Sequence, residues 1–160
     1  MNIKLLAITC LAFVFGIAVF SFLSPDNGSG QVNRLSLQAD CDLSNQPVCE
    51  ARDNRGHAVS LSLSPRPVPI LKDVEVSATT QGLQDIRTAQ LVVEGVNMYM
   101  GIQVVPLTFD KAFVSETGHF SGILQLPICT SSTMEWKATL ILQSENGEYQ
   151  AAFPFTTLTP

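Results

Sequence analysis

The sequence predicts an all-β domain, an antiparallel β-sandwich of seven to eight strands behind one N-terminal transmembrane helix. Three observations predict it. Beyond residue 40, apolar residues recur with period two in one short segment after another, as half-buried strands require. Turn-forming clusters separate those segments. A charge-free apolar run, Leu5 to Leu23, stands apart at the N-terminus.

Taken in order, the run "LLAITCLAFVFGIAVFSFL" rises roughly 28 Å as a helix, close to the thickness of a bilayer core. It ends in "FSFLSPDNGSG", which has no small-residue cleavage site, so retention as an anchor over residues 1–24 is expected. Cys10 follows too short an apolar stretch for a lipoprotein and is read as a small residue within the helix. Lys4 and the amino terminus favour a cytoplasmic N-terminus. The expectation is a single-pass protein of a bacterial inner membrane, its C-terminal domain in the periplasm. "SPDNGSGQ" then reads as the start of a flexible tether, assigned to residues 25–39, and residues 40–160 as the folded domain.

Within the domain, "KDVEVSAT" places Val74, Val76 and Ala78 on one face, and "FSGILQL" does the same with Phe120, Gly122, Leu124 and Leu126. "WKATLIL" aligns Trp136, Ala138, Leu140 and Leu142; "YQAAFPF" aligns Tyr149, Ala151, Phe153 and Phe155. Turn signals fall at Asp53 to His57, Thr79 to Gly82, Glu116 to His119 and Ser144 to Glu148. The pairs flanking "DNRG" and "ENG" read as hairpins. No window after the apolar run carries a helical stripe, and this many short strands in one domain suit an immunoglobulin-like sandwich. Trp136 is the expected core aromatic. Pro154 lacks the donor a central strand needs, so its strand is expected at an edge or a bulge.

Formal charge is −5 and charged residues are 14% of the chain, which excludes the dense cationic face that nucleic acid requires. Hydrolytic and nucleotide-binding motifs are absent, and the two histidines, His57 and His119, both fall in expected turns, so the chain is read as a non-enzyme without a usual zinc ligand set. Three cysteines follow the apolar run. An exported domain meets an oxidising compartment, where two of them pair. Cys41 and Cys49, nearest in sequence, are the expected disulfide; Cys41 or Cys49 with Cys129 stay open as alternatives. Eight-residue spacing gives neither Cys41 nor Cys49 a reactive environment, which makes a thiol-redox role the weakest of the readings.

Apart from Met1, the methionines are Met98 and Met100 in "NMYMG" and Met134 in "CTSSTMEW". In an extended segment, Met98 and Met100 would project to one face as a two-sulfur clamp. Cu(I) prefers such thioether and thiolate sulfur, and a turn at Gly101 would swing the pair toward Cys129 and Met134. Core filling by flexible side chains is the competing explanation.

The ordered set "VEGVNMYMG", "GHFSGILQLPICTSSTMEWKATLIL" and "FPFTT", behind a single span, resembles small membrane-anchored envelope proteins of proteobacteria. These are similar in architecture to accessory proteins of haem-copper oxidase assembly and to one-span, immunoglobulin-like copper-handling modules. The resemblance spans about residues 40 to 157 and implies Met98, Met100, Cys129 and Met134 as metal-site positions. It also implies Cu(I) as cofactor, and a respiratory oxidase or its assembly factors as partner. The lack of a Met/His-rich tail sets the chain apart from high-capacity copper carriers. The rival expectation is a metal-free interaction module of a membrane complex.

Overall fold

A computed structural model describes residues 31–38, 40–110, 117–129, 131–145 and 147–158. The expected anchor at residues 1–24 lies outside the described residues. Among the described residues no helix is long and apolar enough to cross a membrane.

Nine strands form: β1 (Val32–Leu37), β2 (Cys49–Arg52), β3 (Ala58–Ser64), β4 (Asp73–Gln81), β5 (Ile86–Gly95), β6 (Ile102–Phe109), β7 (Thr117–Gln125), β8 (Thr133–Ser144) and β9 (Gly147–Leu158). Each expected period-two segment is a strand, and its apolar alternation is the inward face. In β4 the buried residues are Val74, Val76, Ala78 and Thr80; in β8 they are Met134, Trp136, Ala138, Leu140 and Leu142.

The expected sandwich is corrected to a closed barrel, in the order β1-β2-β3-β4-β7-β6-β5-β8-β9. Two strands close it by turning corners. β1 runs parallel to β9 through Val32–Leu35 and then pairs antiparallel with β2 through Ser36 and Leu37. β6 pairs with β5 through Ile102–Leu107 and then with β7 through Thr108 and Phe109. Each would be an edge in a sandwich. Here each starts beside one neighbour and finishes beside another, which removes the exposed edges that invite unwanted pairing. Periodicity reports which face of a strand is buried, not which strands share a ladder, so closure left no mark that the alternation could carry.

β1 also corrects the tether. Residues 32–37 are strand rather than linker, because "VNRLSL" alternates too: Asn33 and Leu35 are buried between exposed neighbours. Glu116 to His119 is likewise not all turn, since β7 has begun by Thr117 and His119 pairs with Thr79.

The core is aromatic and aliphatic. Trp136 and Phe155 stack at 6.2 Å with planes 14° apart, and the indole N–H of Trp136 donates to Thr157 Oγ1 at 2.9 Å, so its one polar group is satisfied inside. Each fully buried Leu or Phe contributes about 1.5–3 kcal/mol. Pro154 lies in β9 beyond the last β1 pair, where its carbonyl accepts from the Leu43 N–H at 3.0 Å and no ladder donor is demanded of it. Cys41 and Cys49 stand at disulfide distance with Cα atoms 5.7 Å apart, tying the loop after β1 to the start of β2.

The registers sort the connections into two ends of the barrel. The entry end carries the start of β1, the β2–β3 turn, the β4–β5 turn and the β8–β9 turn. The far end carries the β5–β6 turn, the segment between β7 and β8, and the last residues of β9.

Candidate metal centre at the far end

The far end gathers sulfur. The β5–β6 turn brings Met98, the segment after β7 brings Cys129, and the first inward position of β8 brings Met134. Cys129 Sγ lies 3.7 Å from Met98 Sδ and 3.8 Å from Met134 Sδ. Three of the four residues singled out in the sequence therefore converge. The fourth, Met100, is partly buried and packs against the core cluster that includes Cys129 and Met134. The expected same-face clamp of Met98 and Met100 fails because residues 96–100 are not extended. The chain has to reverse between β5 and β6, and it does so through bends at Val96, Asn97 and Met98 and a left-handed Gly101 at φ 78°.

What holds the turn against β8 is Asn97. Its side-chain amide donates to the Thr133 carbonyl at 3.1 Å, and its Oδ1 accepts from the Glu135 N–H at 3.1 Å. The Val96 N–H adds a bond to the Glu135 carbonyl at 2.8 Å. One side chain thus imitates a strand residue and delivers its neighbour Met98 to Cys129. Gly95, paired with Trp136, is the second device. A Cβ there would overlap both the Met98 carbonyl oxygen and the Met134 terminal methyl, so only glycine lets the turn and β8 approach this closely. On the other side, the Ser131 N–H points at Cys129 Sγ at 3.4 Å, and Ser131 Oγ donates to the Thr133 carbonyl at 2.9 Å, folding the segment back over the thiol.

The sulfurs differ in exposure. Met134 is 0% and Cys129 3% exposed, whereas Met98 is 40% exposed. The cluster is a soft-donor site closed toward the core and open at one thioether. Around that opening stand Val96, Tyr99 and Ile128, all exposed, with Tyr99 at 83%. Among the described residues no three His, Cys, Asp or Glu side chains gather as a metal site, so a metal at this end would rest on the two thioethers with the thiol. Three sulfurs ringing one ion at metal–sulfur bonds of about 2.3 Å sit about 4.0 Å apart. Two of the three separations, 3.7 and 3.8 Å, come within a few tenths of an ångström of that.

Neither histidine stands here. His57 belongs to the entry-end turn, where its Nδ1 is 2.8 Å from Asp53 Oδ2 and its ring meets Tyr149 edge-on at 5.4 Å. Asp53 also accepts from the Arg55 and His57 backbone N–H groups at 2.8 and 3.0 Å. Burial raises its pKa, but the His57 side-chain bond and these backbone bonds outweigh it and bring the value down to about 2. His119 sits in β7 beside Thr79.

Asn97, Gly95 and Ser131 were not marked by the sequence reading. The glycine offered the one signal, since a Gly ending a strand ahead of "VNM" announces a close backbone approach. Set against protein-family models, curated proteins and solved structures, the chain matches none of them.

Proposed function

We propose that this protein is a non-enzymatic, membrane-tethered periplasmic domain that binds or passes Cu(I) in support of respiratory oxidase assembly. The observation that carries the metal reading is the contact of Cys129 Sγ with Met98 Sδ and Met134 Sδ at 3.7 and 3.8 Å. Sulfur donors of this type suit Cu(I), which accepts few ligands and prefers soft ones. Met134 and Cys129 form the fixed floor of the site and Met98 its exposed lip, an arrangement that suits a metal arriving and leaving from one side. The thioethers bind without losing a proton, whereas Cys129 releases one on ligation, so affinity rises with pH through the thiol alone. The oxidase and the periplasm come from the motif resemblance and the N-terminal apolar run. The described chain begins, with β1, at the end of the barrel opposite the sulfurs.

The test is competition for Cu(I) between the full chain in detergent and a chromophoric chelator. The reading expects one equivalent bound, with affinity at least about tenfold lower in Met98→Leu and lower again in Met98→Leu with Met134→Leu. Equal affinity in the wild type and the double variant would sink it.

One observation favours the metal-free interaction module instead. Val96, Tyr99 and Ile128 form an exposed apolar rim, the kind of surface that partners cover. If Tyr99→Ser with Ile128→Ser abolishes function while the Met98→Leu, Met134→Leu chain retains it, the partner-binding reading replaces the copper one.

A further inference from the structure

The surroundings of the three sulfurs bear on the charge of the ion they suit as well as on its softness, an inference that rests on the Cu(I) reading above. No Asp, Glu, Lys or Arg occurs from Gly95 to Phe109 or from Thr117 to Met134, the two stretches that bring Met98, Cys129 and Met134 together. The carboxylates that border these stretches are engaged or turned outward. Glu94 pairs with Lys137 at 2.6 Å, and Glu135 stands exposed between the buried Met134 and Trp136. Two of the donors are dry, Cys129 at 3% and Met134 at 0% exposed, and the open side is rimmed by Val96, Tyr99 and Ile128.

A net charge is costly in apolar surroundings unless a counter-charge is at hand. Among the three donors only one can become anionic, because the thioethers are neutral and the thiol gives up its proton to solvent when it takes a metal. One thiolate and two thioethers around a monovalent ion make a neutral unit. Around a divalent ion they leave one positive charge uncompensated.

We propose that the far-end site selects by charge, taking the soft monovalent ions Cu(I) and Ag(I) and refusing divalent ions, even one as soft as Cd(II). Copper as Cu(II) is refused on the same ground, so it has to reach the site already reduced.

Cd(II) is the discriminating probe, because softness alone would admit it. The reduced full chain in detergent is titrated with Ag(I) and with Cd(II), read by sulfur-to-metal charge-transfer absorption in the ultraviolet, beside the Cu(I) competition. One equivalent of Ag(I) is expected to bind, with Cd(II) weaker by at least about 100-fold. Substitutions at the lip change the count of charges. Met98→Cys supplies a second thiolate and Met98→Asp a carboxylate, so in both the divalent ion becomes the neutral unit and Cd(II) affinity should rise at least about tenfold. Met98→Leu adds no charge and should weaken Ag(I) while Cd(II) stays excluded. Met98 is 40% exposed, so these exchanges leave the packed core in place. If Ag(I) and Cu(I) bind but Cd(II) comes within about tenfold of Ag(I), the charge rule is overturned while the Cu(I) reading stands. Cd(II) affinity unchanged in both Met98→Cys and Met98→Asp overturns it as well. If neither Cu(I) nor Ag(I) binds, the site itself fails and the rule goes with it.

Discussion

The two ends of the barrel are built from opposite chemistry. At the far end, the Asn97 amide and backbone groups pin one turn against β8, and what that turn and the neighbouring segment gather is sulfur: Met98, Cys129 and Met134. At the entry end the connections are held by ions. Asp53 organises the β2–β3 turn through His57 and Arg55, Arg55 Nη2 donates to Asn33 Oδ1 at 2.5 Å, and Arg87 pairs with Glu145 across to the β8–β9 turn. The difference teaches that one closed barrel can carry a soft, dry cluster and an ionic rim without either perturbing the other, because the core of Trp136, Phe153 and Phe155 lies between elements that serve both. Substitutions at one end should leave the other unmoved, since distant sites add independently.

The largest effect is expected from Met134→Ala. Its side chain is wholly buried, so truncation leaves a cavity and should cost about 2–5 kcal/mol in denaturant unfolding, whereas Met98→Ala, half in solvent, should cost under about 1 kcal/mol. Equal costs would break the picture of a floor and a lip. Next comes the disulfide. Replacing Cys41 and Cys49 together by serine opens a loop with a sequence separation of 8 residues and should cost about 2–3 kcal/mol, measured the same way. Gly95→Ala follows, at about 1–3 kcal/mol, because the Met98 carbonyl and the Met134 methyl must both give way. It should also weaken Cu(I) binding.

The smallest effect is the sharpest probe of the entry end. Asp53 has its carboxyl lowered from 3.8 to about 2 in the fold, so its contribution is fully present above about pH 4 and is lost as pH falls through about 2. Acid unfolding of Asp53→Asn should therefore show a shallower loss of stability across that window than the wild type. A parallel pair of curves would show that the turn draws nothing from the carboxylate.

Much of this was legible in the residues. Alternation marked β4, β7, β8 and β9, because one face of each meets the core and the other meets water, and that contrast is written into every second position. β1 escaped because "SPDNGSGQ" just ahead of it has linker composition, and a six-residue strand beside it offers only three alternations. Closure escaped for a different reason: whether β1 and β6 stop at one neighbour or continue to a second depends on twist and corner geometry, which no hydrophobic period records. At the candidate site, sulfur-bearing residues are rare enough in this chain to be singled out by type. Their convergence depended on Asn97 and Gly95, whose task is to position others and whose identities carry no chemistry of their own. The shared face expected of Met98 and Met100 presumes an extended backbone, and the chain bends at Val96, Asn97 and Met98.

The central claim is that Cys129, Met98 and Met134 hold one ion together. Copper X-ray absorption on the Cu(I)-loaded full chain in detergent tests it most directly. The account predicts about three sulfur neighbours near 2.3 Å in the wild type, falling by one in Met98→Leu and again when Cys129→Ala is added, with Met100→Leu unchanged. A first shell of nitrogen or oxygen, or a sulfur shell unaltered by those substitutions, would contradict it.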